Sequence, residues 1–189
     1  MRLLSAADRR PSAWKNGGGV TTEIAAHPPG TGLSDFGWRV SVADVATDGP
    51  FSAFPGVERT LTLLEGAGMT LAIAGTEAPL TPDQPACRFG GEAATSAVLH
   101  EGPIRDLNVM SRRDAYAHTV ERFVLTGATT APPASAVIAL APQGGVEVEA
   151  AGDVLTLGPW DAALVQDEPL TLRAGRPVSV ILVRFVARG

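Results

Sequence analysis

The sequence predicts an all-β fold, an antiparallel jelly roll duplicated as two β-barrel or sandwich units packed together. Three observations carry that expectation. Apolar and polar residues alternate with period two from end to end, as in strands with one buried face. Twenty-one glycines and fifteen prolines, about a fifth of the 189 residues, supply many turns, yet stay below the roughly 25–30% that marks disordered chains. The second half also repeats the first in order. Leu61–Leu64, Gly68–Leu71 and Gly75 are echoed by Val137–Leu140, Gly145–Val148 and Gly152, with both glycine pairs 77 residues apart. Gly102–Ser111 is echoed by Gly175–Arg184 at a spacing of 73.

The elements follow from local pattern. Val20–Ala26 reads as a strand leaving a glycine run. Trp38–Val45 sets Trp38, Val40 and Val42 on one face and Arg39, Ser41 and Ala43 on the other. Asp48-Gly49-Pro50 marks a turn. Val57–Leu64 and Met69–Ala74 flank Glu65-Gly66-Ala67-Gly68 and are expected to form a hairpin. Cys87–Phe89, Ser96–His100 and Ile104–Ser111 complete the first half. Ala93–His100 also allows a short helix, against which Thr95, Val98 and the nearby glycines argue. The second half offers Val120–Thr126, Ser135–Ala141, Val146–Ala150, Val154–Leu157, Ala162–Gln166, Leu170–Arg173 and Val178–Val186. Between the halves, Thr126–Ala136 holds Gly127, Thr129, Thr130, Pro132 and Pro133 and reads as a linker or long loop. Residues 1–118 are expected to form one unit and residues 119–189 a second.

Composition narrows the function. A 45% hydrophobic and 19% charged chain fits a compact core. A formal net charge of −5 argues against a nucleic-acid partner, and Arg9-Arg10 and Arg112-Arg113 are read as solvated surface. One cysteine, Cys87, excludes an internal disulfide and is expected to pack as a strand residue rather than act as a nucleophile. The N-terminus has no apolar region of signal-peptide length and no stretch approaches the roughly 20 apolar residues of a membrane helix, so a cytoplasmic protein without membrane contact is expected. Nothing singles out a dimer surface, although a homodimer is compatible with the pattern.

Familiar catalytic signatures are absent. His27, His100 and His118 form no close ligand pair, so no metal and no cofactor is expected; Glu23, His100 and Asp106 are the only set worth testing. There is no phosphate-binding Gly-x-x-x-x-Gly-Lys-Ser/Thr and no Gly-x-Ser-x-Gly elbow. The informative stretch is Trp14-Lys15-Asn16-Gly17-Gly18-Gly19-Val20-Thr21-Thr22-Glu23-Ile24. Bare glycine amides flanked by an aromatic, an ammonium, an amide and a carboxylate suit the recognition of a small polar molecule. In the echoed strand, Asp106 and Asn108 share a face, where their counterparts by spacing are Ser179 and Ile181; a pocket is therefore expected in the first unit. Lys15, Arg39 and Arg59 are candidates for a carboxylate. Asn16, Gly17, Gly18, Ser41, Ser52 and Asn108 offer hydrogen bonds, and Trp14, Phe51 and Phe54 offer walls. Arg39, set among apolar neighbours, needs an anionic partner, either Glu23, Asp44 or a ligand.

The glycine run, together with Gly37-Trp38-Arg39-Val40-Ser41-Val42-Ala43-Asp44-Val45 and Asp48-Gly49-Pro50-Phe51-Ser52-Ala53-Phe54-Pro55-Gly56-Val57-Glu58-Arg59, resembles the HutD/Ves family. Asp106-Leu107-Asn108-Val109-Met110-Ser111-Arg112-Arg113 is similar to that family's later motif, with Ser111 where threonine is frequent. The resemblance implies a cupin-like (RmlC-like) barrel in duplicate and a role tied to bacterial histidine utilisation, or to stress in the Ves branch. The expected function is a non-catalytic sensor of a small organic carboxylate from histidine breakdown. Two alternatives stay open: a metal-independent isomerase or C–N hydrolase with Glu23 and Lys15 as acid and base, and a protein-interaction module.

Overall fold

A computed structural model describes residues 1–14 and 17–189. Its strands run β1 (Arg2–Leu4), β2 (Pro11–Ala13), β3 (Gly19–His27), β4 (Trp38–Val45), β5 (Gly49–Pro50), β6 (Val57–Glu65), β7 (Met69–Ile73), β8 (Thr76–Leu80) and β9 (Ala86–Gly90). They continue with β10 (Thr95–Leu99), β11 (Ile104–Arg112), β12 (Tyr116–Ala131), β13 (Ala136–Leu140), β14 (Val146–Ala150), β15 (Asp153–Leu157), β16 (Ala162–Val165) and β17 (Leu170–Ala187). Among the described residues the only helical element is one short turn, Ala6–Asp8, and no helix is long and apolar enough to cross a membrane. The all-β expectation holds.

The chain divides into a unit of residues 10–115 and a unit of residues 1–9 with 116–189. In the first, a sheet ordered β2-β3-β4-β11-β6-β9 faces a smaller sheet ordered β5-β10-β7-β8. Side chains from both sheets build the core between them: Ala43, Val45, Leu61, Leu63, Met69, Leu71, Ala97 and Ile104. Each leucine sealed there contributes about 2 kcal/mol. In the second unit one sheet, β1-β16-β13-β17-β14-β15 with β12 along the other side of β17, gathers around Val137, Val148, Leu172, Val180 and their neighbours.

The internal repeat is visible in the pairing. β6 lies between β11 and β9, as β13 lies between β17 and β16. The β7–β8 hairpin corresponds to β14–β15. The sequence spacing, however, equates the wrong positions. Val178, Val180 and Leu182 of β17 belong to the second unit's cluster, so Ser179 and Ile181, the latter also fully buried, lie on the opposite face of the strand. An odd slip in a period-two alignment exchanges the faces. The interior of the second unit is apolar at these positions all the same.

Four further expectations change. β6 and β7 are not a hairpin, because they belong to different sheets. Glu65-Gly66-Ala67-Gly68 carries the chain across, at a corner so tight that a Cβ on Gly68 would meet the Leu80 carbonyl oxygen at 2.3 Å. The stretch after Thr126 is not a linker up to Ala136. β12 continues to Ala131 against Leu170–Ala174, with a register shift at Leu125/Gly127 and Gly127 at φ +79°. Leu170–Arg173 and Val178–Val186 are one strand, β17, rather than two. The first nine residues group with the second unit, since β1 pairs with β16. β1, β2, β5 and β8 are short or lack clean alternation, and no sequence signal announced them.

Candidate ligand-binding site

The concave face of the larger sheet in unit 10–115 can be read as a grid from its register. The row Arg39, Met110, Arg59, Phe89 crosses β4, β11, β6 and β9. The next row is Glu23, Ser41, Asn108, Leu61, and the next is Thr21, Ala43, Asp106, Leu63. The two arginine Cα atoms are therefore two strand spacings apart, about 10 Å, and Asp106 lies four residues along β11 from their row, about 13 Å. A cavity of about 640 Å³ opens on this face, within the usual range for small-molecule sites. Arg39, Arg59, Asp106, Asn108 and Met110 form its floor; Phe51, Ser52, Phe54, Trp14 and Leu33 are among its walls.

Arg59 is 3% exposed. Its guanidinium carbon lies 5.2, 5.5 and 5.3 Å from the ring centres of Phe51, Phe54 and Phe89, which suits a weakly hydrated cation. Nη1 donates to the Ser52 carbonyl at 3.3 Å, while Nε has no partner among the described residues. Burial lowers its pKa to about 10, opposed by Asp106 and reinforced by Arg39, so it stays charged at neutral pH. Arg39 Nε donates to Glu23 Oε2 at 2.8 Å. Of the three partners considered for Arg39, Glu23 is the one the protein supplies; Asp44 instead accepts from Arg105 Nε at 2.7 Å.

Asp106 is 1% exposed, and neither carboxyl oxygen has a hydrogen-bond partner among the described residues. Burial pushes its pKa up to about 7; Arg59 pulls it down and Asp44 adds to the rise. Asn108 Oδ1 and Ser41 Oγ on the neighbouring row are likewise buried without partners. Buried polar atoms are ordinarily satisfied. Here several orphans share one face beside one cavity.

The predicted residues distribute unevenly. Arg39, Phe51, Ser52, Arg59 and Asn108 line the cavity. Glu23 and Ser41 occupy the same face beside it. Ser52 reaches Arg59 with its backbone oxygen. Lys15 and Asn16 lie outside the described residues. Gly17 and Gly18 are not among the lining residues. Gly17 is in a turn, φ +73°, donating to the Trp14 carbonyl at 3.0 Å. A Cβ on Gly19 would lie 2.5 Å from the Asp44 carbonyl oxygen and 3.2 Å from the Trp14 ring. Much of the glycine run thus serves chain geometry and close packing. Trp14 itself donates from Nε1 to Thr21 Oγ1 at 2.7 Å.

Asp106 is the residue the predicted carboxylate site omitted; its place beside Asn108 on one strand face was the available signal. His100, weighed with Glu23 and Asp106 as a metal set, bonds Thr70 Oγ1 through Nε2 at 2.8 Å and is not among the cavity residues. Among the described residues no three His, Cys, Asp or Glu side chains converge. Arg112 and Arg113 are not merely solvated: Arg112 donates to the Ser34 and Pro55 carbonyls, and Arg113 pairs with Glu92 at 2.8 Å. Cys87 is a free, half-buried residue of β9, as its strand setting predicted.

The HutD family profile matches residues 6–182. The chain belongs to the HutD family. A Pseudomonas putida relative, an uncharacterised 21.2 kDa protein from the region 3′ of hutC, is 40% identical over 176 residues, covering 91% of each chain. Protein Ves of Citrobacter koseri is 47% identical over 103 residues, covering 53% of this chain and 52% of Ves. The solved structure of HutD from Pseudomonas fluorescens SBW25 aligns with a TM-score of 0.82 at 31% identity, over 100% of this chain and 99% of that one. A cupin 2 conserved barrel domain protein from Leptotrichia buccalis, 9% identical with a TM-score of 0.63 over 96% and 99% of the two chains, shares the fold. The HutD family is associated with the histidine utilisation locus, and its fold is that of the cupins.

Proposed function

We propose that this HutD-family protein is a non-catalytic sensor whose cavity in unit 10–115 binds a small organic carboxylate from histidine breakdown, of the urocanate, N-formylglutamate or N-formiminoglutamate type, and that binding moderates histidine utilisation in the cytoplasm. The observation that carries this is Arg59: a charged guanidinium 3% exposed, boxed by three phenylalanines, beside a cavity, with no carboxylate of the described residues in ion-pair range. A buried cation is costly unless an anion meets it. Arg39, on the same row, offers the second cation, and two guanidiniums suit a planar carboxylate. Asn108 and Ser41 supply neutral polar groups for the rest of the molecule.

The enzyme alternative needs Glu23 free to move a proton, whereas Glu23 is held by Arg39. Titration calorimetry with these acids at millimolar concentration tests the proposal. Binding to the wild type that is lost in Arg59→Met, with the acid recovered unchanged after long incubation, is the expected result. No heat from any of them overturns it, and steady consumption of the acid that ceases in Glu23→Gln would transfer the site to the enzyme reading.

A further inference from the structure

We infer that the cavity discriminates among acids at its Asp106 end, preferring one whose far end presents a forked pair of N–H donors, an amidinium, over the otherwise matching amide or carboxylate. This rests on the carboxylate-binding function proposed above and narrows the chemical class of its ligand.

Two independent features lead there. The first is hydrogen bonding. Both oxygens of Asp106 are buried beside the cavity without partners among the described residues. A single donor, or a proton on Asp106 itself, leaves one oxygen unmet. Two parallel N–H groups meet both, in the same geometry that makes arginine–carboxylate pairs favourable. The backbone places this carboxyl where such a group would reach it. Asp106 sits on the same face of β11 as Asn108 and Met110, two rows beyond the arginines. A short acid anchored at the arginine row extends over Asn108 towards it.

The second is charge. Among the described residues, four charged groups face this region from the strands around it: Glu23 on β3, Arg39 on β4, Arg59 on β6 and Asp106 on β11. Asp44 acts on Asp106 through space but is committed to Arg105. Glu23 and Arg39 neutralise each other. Arg59 and Asp106 influence each other electrostatically yet are not within ion-pair distance. A ligand carboxylate at Arg59 and a ligand cation at Asp106 would give each of these four charges a partner. An acid with a neutral or anionic far end would leave the Asp106 carboxylate facing it unpaired, or force it to take a proton. Sites built to bond a ligand's N–H reject the analogue that lacks it, because their own buried groups are then stranded.

The test compares N-formimino-L-glutamate with N-formyl-L-glutamate, which differ by an amidine nitrogen in place of an oxygen, by calorimetry at pH 8. The expected result is at least about tenfold tighter binding of the formimino acid to the wild type, about 1.4 kcal/mol. In Asp106→Asn, whose amide supplies only one acceptor and carries no charge, the ratio should fall to within about twofold. Equal or tighter binding of the formyl acid by the wild type overturns the inference, and needs no variant to fold. A preference that survives Asp106→Asn overturns it equally. The underlying function is judged separately: if both acids bind without preference, only the Asp106 assignment falls, whereas if neither binds, the carboxylate site itself falls.

Discussion

Asp106→Asn should make the protein more stable, and by an amount that depends on pH. The native carboxyl titrates near 7 and its ordinary value is 3.8. A raised acid pKa means that the native state holds the proton more tightly than the unfolded chain. The wild type therefore loses stability as pH rises from about 4 to about 7, and the full penalty is present above that window. A rise of that size corresponds to about 4 kcal/mol. Asn is nearly isosteric and cannot ionise, so it escapes the penalty while keeping a polar group at the site. Urea unfolding of both proteins should show a difference of about 4 kcal/mol in favour of the variant at pH 8, shrinking below about 1 kcal/mol near pH 4. A variant less stable than the wild type at pH 8, or a difference that does not vary with pH, would refute the placement of an unsatisfied buried carboxyl at this position. The gain in stability should accompany a loss of ligand discrimination, the usual exchange at a site held ready for a partner.

Arg59→Met keeps much of the side-chain volume and removes a buried charge. It should be neutral or stabilising by up to about 2 kcal/mol in urea unfolding, while acid binding weakens at least tenfold; a loss of more than about 3 kcal/mol would make Arg59 a structural residue. Glu23→Gln keeps an acceptor for Arg39 Nε and removes a negative charge near the acid, so calorimetry should show a few-fold tighter binding and no turnover; its effect on stability should stay within about 1 kcal/mol because the pair is partly exposed. Gly19→Ala should cost about 1–3 kcal/mol in urea unfolding through the Asp44 carbonyl; a neutral result would return the glycine run to a purely ligand-facing role.

Alternation made the long strands legible, because each has one face in a core. Trp38–Val45 and Val146–Ala150 match the structure at both ends. Ile104–Ser111 differs by one residue at its end. Pairing was less legible, since it depends on partners far along the chain. Glu65–Gly68 looks like a hairpin turn in isolation, yet its glycines exist for the close passage of Pro103 and Leu80. The linker misreading has the same cause: Gly127 marks a bulge inside a continuing strand, not its end. For the site, Arg39 was found because a cation stood out in an apolar strand. Arg59 was legible as a candidate cation for a carboxylate, but not its depth of burial or its enclosure by three phenylalanines, which come from distant parts of the chain. Asp106 could be placed on the right face from sequence, but not its burial or its missing partners, which depend on β4 and β6 flanking β11 and on the smaller sheet packed across that face.

The most direct measurement is a crystal structure of the protein grown with an excess of whichever acid binds best by calorimetry. The expected result is density in the cavity of unit 10–115 with its carboxylate within hydrogen-bond distance of Arg59 and Arg39. Density for the acid at any other place, with Arg59 still enclosed by Phe51, Phe54 and Phe89 and touching none of it, would contradict a carboxylate site there.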